Sequence, residues 1–167
     1  SSSLDLVRVA EEFLNDIHDR TRQTVLMSVL EDADIMVYVF KREVPTGLKV
    51  SSSVGVRRPL SYGALGRVLL AFQPEEAADR LLQQPFPAYT PRTGTDPEEI
   101  RQQLARIRQE RIYVEFEQAI SGVAGIAAPV FQADGRVIAA IGLICPAAQM
   151  TAEWLAETKQ LVDRAAR

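Results

Sequence analysis

The chain has 167 residues, enough for one well-buried domain and too few for two comfortable ones. With 47% hydrophobic and 25% charged residues it has the balance of an ordinary globular protein, which excludes a disordered or fibrous chain. The formal net charge of −3 leaves no basic excess of the kind a free-standing DNA-binding domain uses to neutralise phosphates.

No apolar run approaches the eighteen or so residues that a membrane span needs, and no charged-then-apolar segment opens the chain as a secretion signal would. A cytoplasmic location without a membrane partner is therefore expected. Cys145 is the only cysteine and His18 the only histidine. An internal disulfide is impossible, Cys/His metal clusters are absent, and no metal or cofactor is expected. His18 falls at the polar end of a helical stretch and reads as a surface histidine rather than a catalytic base.

Ser1–Ser3 read as a cut end. Leu6, Ala10, Phe13 and Ile17 then recur at i, i+4, i+7 and i+11, drawing an apolar stripe along a helix at about 4–18, with Val7 and Leu14 as a second stripe beside it. Two stripes are more than one face of a domain covers. They point to another subunit, as a homodimer or homotetramer, or to an upstream domain. The period then changes to two: Thr24–Leu30 and Ile35–Lys41, separated by Glu31-Asp32-Ala33-Asp34, read as an antiparallel hairpin. A turn at Pro45-Thr46-Gly47 leads to a third strand at Leu48–Val54.

The stretch Arg57–Phe72, RRPLSYGALGRVLLAF, joins a basic strand end to a helix whose first turn is nearly bare of side chains. Ser61 is expected to cap it, while Gly63, Ala64 and Gly66 leave the first backbone N–H groups open. Such a start suits a carboxylate or phosphate, because the unpaired N–H groups and the positive end of the helix dipole face the ligand. The alternative is that Gly63 and Gly66, three apart, only let the helix press against a sheet. Pro74 opens a short second helix with Glu75 and Glu76 in its first turn, where negative charge suits the dipole.

Residues 85–97 hold four of the nine prolines and read as an extended surface loop. Asp96 as cap, Pro97 at the first helical position and Glu99 completing a capping box start the next helix, with Ile100, Leu104 and Ile107 as its buried stripe. Arg106, Arg108 and Arg111 read as its solvated face. Strands follow at Ile112–Glu117 and Ala124–Phe131, and Ala133-Asp134-Gly135-Arg136 turns the second into Val137–Ile144. Thr151 caps a last helix carrying Trp154, Leu155, Leu161 and Val162. Strands joined mostly as hairpins, with helices between, predict an α+β domain with one antiparallel sheet.

Catalytic signatures are missing: there is no G-x-S-x-G elbow, P-loop, G-x-G-x-x-G or H-E-x-x-H. Glu115 and Glu117 alternate on one strand and so share a face, but two glutamates on an edge or exposed face are ordinary. No catalytic residue is assigned and an enzyme is not expected.

Three segments, Arg57–Phe72, AYTPRTGTDPEEIRQQLARIRQERIYVEFEQ at 88–118 and SGVAGIAAPVFQADGRVIAAIGL at 121–143, together resemble the effector-binding domain of the IclR family of bacterial transcriptional regulators. The resemblance covers roughly residues 20–167 and rests on Leu-Gly-Arg-x-Leu-Leu-Ala, Tyr-Thr-Pro-Arg-Thr before Asp-Pro-Glu, and Ala-Ala-Pro-Val running into Asp-Gly-Arg-Val. It implies a GAF-like or PAS-like sheet flanked by helices. Residues 1–20 would be a linker helix ending the connection to a missing winged helix-turn-helix domain, and 21–167 the effector-binding domain. DNA would be contacted only through that missing part. A small organic acid effector would touch Gly63, Ala64 and Leu65 at the helix start, Glu115, then Val123 and Gly125, and finally Gly142 and Ile144. All of these could instead be core or turn residues.

Two departures from the family's common pattern bear on the ligand. Arg111-Ile112 and Glu115-Phe116-Glu117-Gln118 stand where many relatives carry an acidic run after Gly-Tyr, and Gly142-Leu143-Ile144 stands where many carry Ser-x-Ser. Fewer hydroxyls suit a small polar oxoacid poorly. Gly125 and Gly142 are read as vacating volume beside the aromatic surfaces of Tyr62 and Phe116, so an aromatic or otherwise apolar carboxylate is expected. The rival readings are a small-molecule-modifying enzyme on the same fold and a ligand-free oligomerisation module.

Overall fold

The alternating segments become strands and the stripes become helices in the computed structural model, which describes residues 2–44 and 52–166. Helix α1 spans Ser2–Thr21, followed by strands β1 (Thr24–Asp32) and β2 (Ile35–Arg42). The expected Pro45-Thr46-Gly47 turn and most of the expected strand at Leu48–Val54 lie outside the described residues. The described end of that stretch, 52–54, is coil entering a turn, and β3 is instead the short basic segment Arg57–Pro59. Helices α2 (Gly63–Ala71), α3 (Glu75–Leu82) and α4 (Pro97–Glu110) come next, then β4 (Tyr113–Phe116), β5 (Val123–Phe131), β6 (Val137–Pro146) and α5 (Ala152–Ala165).

The strands form one antiparallel sheet in the order β3-β2-β1-β6-β5-β4, so the α+β expectation holds. β1 and β6 meet at the centre, with Leu26 opposite Gly142 and Thr24 opposite Ile144. Each sheet face has its own core. On one, Leu65, Leu69, Ile100, Leu104 and Ile107 of α2 and α4 pack against Leu26 and Ala127. On the other, Leu14, Ile17 and Val162 of α1 and α5 pack against Val25, Met27, Ile126 and Leu143. Asp96 accepts from the Glu99 N–H and Thr151 from the Trp154 N–H, so both expected caps form.

Several sequence readings are corrected. Phe13 is 50% exposed and sits outside the core-facing side of α1. His18 is buried, not on the surface, because the chain reverses at the end of α1 and brings its Nδ1 within 2.8 Å of the Gln23 carbonyl. Ser61 does not cap α2: the capping position is Tyr62, and the Ser61 hydroxyl bonds the Tyr89 hydroxyl at 2.7 Å. Two of the three arginines at the end of α4 are not simply solvated, since Arg108 donates to the Ala71 carbonyl and Arg111 lies 4.7 Å over the Phe131 ring. The proline-rich loop is not merely extended over the surface either, as Phe86 and Thr93 are buried in it.

Candidate functional site

The start of α2 is set by backbone geometry rather than by a side-chain cap. Tyr62 is extended, and Gly63 has φ +72, a conformation in which a side chain is strained. Gly66 does not face the sheet: a Cβ there would lie 2.8 Å from the Leu60 carbonyl oxygen, so this glycine admits the turn leading into its own helix. The N–H groups of Gly63, Ala64 and Leu65 are among those an α-helix leaves unpaired, and no acceptor bonds them among the described residues.

These groups border a cavity of about 30 Å³. The structure brings Gly63, Ala64, Leu65, Glu115, Val123 and Ile144, six of the eight residues expected to touch an effector, together around it. Leu26 of β1, Tyr38 of β2, Ser52, Tyr62, Ala119 and Ile120 complete the wall. In the sequence Leu26 and Tyr38 carry only the pattern of ordinary strand core, and Ser52 falls within the alternation of a strand, so the pattern alone does not point to a cavity. The one available signal was Tyr38, whose hydroxyl on a buried strand needs a polar partner. Ala119 and Ile120 arrive only through the fold: Glu117, with φ +53, turns the chain back over the cavity.

The two other residues, Gly125 and Gly142, do not line this cavity, and the expectation that they vacate volume is corrected. A Cβ at Gly142 would overlap the Ile126 carbonyl oxygen and sit 3.0 Å from the Ala127 Cα, so this glycine lets β5 and β6 approach and vacates nothing. Gly125 is covered by Ala64, whose Cβ lies 3.4 Å from where a Cβ on Gly125 would be; it seats α2 on the sheet. Phe116 offers no aromatic wall, because it alternates to the other face from Glu115 and is exposed. Glu117 does not share the face of Glu115, because the strand has ended and the left-handed turn swings its carboxylate to the Gly122 N–H, 2.8 Å away.

Glu115 is the cavity's one acidic group and is only 5% exposed. Its Oε2 accepts from the Gln118 N–H at 3.0 Å, yet burial outweighs that bond and pushes the carboxyl above its ordinary pKa. Tyr38 and Tyr62 are pushed up by burial too. The Arg58 guanidinium lies 4.8 Å over the Tyr62 ring, and Tyr89 meets that ring edge-on at 5.0 Å. The covering turn is held from the proline-rich loop: Thr90 donates to the Glu117 carbonyl, Thr93 to the Gln118 carbonyl, and Arg92 pairs with the Glu117 carboxylate at 2.7 Å. Chemically, the site offers unpaired N–H donors at one side, a buried carboxyl whose pKa burial raises at another, and apolar walls between.

The whole chain, residues 1–167, matches the sequence model of the family described as bacterial transcriptional regulator IclR C-terminal. It is 32% identical over 166 residues to the HTH-type transcriptional regulator KdgR of Dickeya chrysanthemi, which covers 99% of this chain and 54% of that protein. The chain thus spans about half the length of that curated relative, and 63% of its Escherichia coli counterpart. An IclR homolog from Microbacterium hydrocarbonoxydans, solved as a complex with 4-hydroxybenzoate, superposes with a TM-score of 0.90 at 27% identity over 99% of this chain and 67% of that one. The inducer-binding domain of the PobR transcription factor from Acinetobacter, a double mutant in complex with 3-hydroxybenzoic acid, superposes with a TM-score of 0.82 at 28% identity over 95% of this chain and 94% of that one.

Proposed function

From the premise that this chain belongs to the IclR family as the C-terminal part of its regulators, we propose that it senses a small carboxylic acid with an aromatic or otherwise apolar body and so controls transcription by a longer protein. The named relatives are transcriptional regulators, not enzymes. The observation that carries the proposal is the convergence of three unpaired N–H groups and a buried carboxyl on one apolar cavity. The N–H groups of Gly63, Ala64 and Leu65 take the carboxylate, Leu26, Val123 and Ile144 pack the body, and Glu115 with Tyr38 orients any further polar group. Two hydroxybenzoate-bound neighbours support this ligand class.

A cavity of about 30 Å³ holds roughly one water and not an aromatic acid. Binding therefore requires the turn at 117–122 to move off the start of α2, and the acid selects that open form at a cost in affinity equal to its scarcity. Opening strains the bonds that tie the turn to Thr90, Arg92 and Thr93. Residues 1–20 end the connection to a DNA-binding domain and 21–167 form the sensing domain, so an opening here reaches DNA through α1 and the arrangement of subunits. Calorimetry with 4-hydroxybenzoate and its methyl ester tests the carboxylate: the ester should bind at least about tenfold more weakly, having lost charge-assisted hydrogen bonds. An ester that binds as well as the acid refutes the assignment. The small volume also favours a second reading, a filled oligomerisation module, which a melting temperature unmoved by a panel of aromatic acids would support.

A further inference from the structure

A second cleft, of about 370 Å³, opens between α2, α4 and residues 92–94, and shares no lining residue with the cavity above. Arg67 reaches it from the middle of α2. This side chain is 3% exposed, lies 4.8 Å over the Phe86 ring and donates from Nη1 to the Gln103 amide oxygen. Its Nε has no hydrogen-bond partner, and no carboxylate pairs with the guanidinium among the described residues. A buried charge without a counter-ion is costly unless something supplies one.

The cleft around it is built to do so. Arg106 enters from α4 and Arg92 from the loop, against Glu99 as the single carboxylate in the lining, and Gln102, Gln103 and Gln118 add amide groups. Arg106 is exposed and takes part in no ion pair among the described residues, whereas Arg92 is already held by Glu117. Guanidinium groups present forked donors that match the oxygens of carboxylate and phosphate. We propose that this cleft is a second ligand site, binding a small oxyanion, phosphate or carboxylate, between Arg67 and Arg106. The oxyanion supplies a direct ion pair that Arg67 lacks: Glu115 acts on the guanidinium through space but forms no ion pair with it among the described residues.

The test is calorimetry and thermal melting of the chain in chloride buffer of constant ionic strength, titrated separately with inorganic phosphate and with succinate. At least one should bind saturably and raise the melting temperature; which one does so distinguishes a phosphate from a carboxylate source. Arg106→Gln alters an exposed side chain and should weaken that binding at least about tenfold, as for one hydrogen bond to a charged group. Arg67→Met keeps the chain length, should abolish binding, and should melt higher than the parent without anion because an unpaired buried charge is gone. If Arg67→Met fails to fold, Arg106→Gln decides alone. Binding unchanged in Arg106→Gln, or no saturable binding of either anion up to roughly 10 mM, overturns the proposal.

Discussion

Glu115 shows how one buried carboxyl shapes both stability and binding. Burial raises its pKa in the folded state above the unfolded value, which reverses the usual carboxylate behaviour. Its contribution to stability is greatest below the unfolded pKa and is lost as pH rises through the folded pKa. Glu115→Gln keeps an acceptor for the Gln118 N–H but cannot ionise, so it should melt higher than the parent at pH 7–8, with the difference vanishing below about pH 4.5. Melting curves across that range check this, and a variant less stable than the parent at neutral pH would contradict it. At Gly142 the argument is steric. The expectation of vacated volume fails there, and Gly142→Ala should destabilise the fold by about 1–3 kcal/mol or more, because its Cβ meets the backbone of β5 and not a side chain that can swing away. Urea denaturation measures the loss.

Among the elements, α2 and α4 start in different ways for different ends. In α4, Asp96 holds the Glu99 N–H at 3.0 Å and Pro97 pre-sets the first helical residue. Asp96→Ala should cost about 0.5–2 kcal/mol in the urea midpoint analysis. α2 has no side-chain cap at all. A capping oxygen would occupy the N–H groups that the proposed ligand needs, so the helix relies on the left-handed Gly63 and on burial to hold its first turn. Ser61→Ala should therefore leave α2 in place and disturb only the contact with Tyr89. The proline-rich loop, in turn, is a strut: its threonines hold the turn that roofs the cavity.

For the molecule as a whole, the unfinished surface is on α1. Leu4 is 61% exposed, Val9 72% and Phe13 50%, while Leu14 and Ile17 of the same helix are fully buried against the sheet. An exposed apolar strip of this kind is the surface expected to meet a second copy of the chain. The expected outcome is a dimer or tetramer by analytical sedimentation at tens of micromolar, a concentration chosen as roughly that of weak domain contacts. Phe13→Glu should shift the population toward monomer while leaving the far-UV circular dichroism unchanged, and unchanged sedimentation of that variant would rule the strip out. No helix among the described residues is long and apolar enough to cross a membrane.

The order of helices and strands, the caps at Asp96 and Thr151, and the glycine-rich start of α2 were legible from residues 1–167 themselves, because each depends on neighbours a few positions away. The shared face of Glu115, Val123 and Ile144 with that helix start came from the resemblance. Local pattern cannot say which residues meet across a sheet. It took the register of β1 against β6 and of β5 against β6 to show that Gly142 lies under a neighbouring backbone while Gly125 lies under Ala64. It took the left-handed turn at Glu117 to carry Ala119 and Ile120 over the cavity and to separate two carboxylates that alternation had placed together. Likewise the burial of His18 and of Arg67 was invisible in the sequence, since whether a polar side chain faces water is decided by what folds back onto it from elsewhere in the chain.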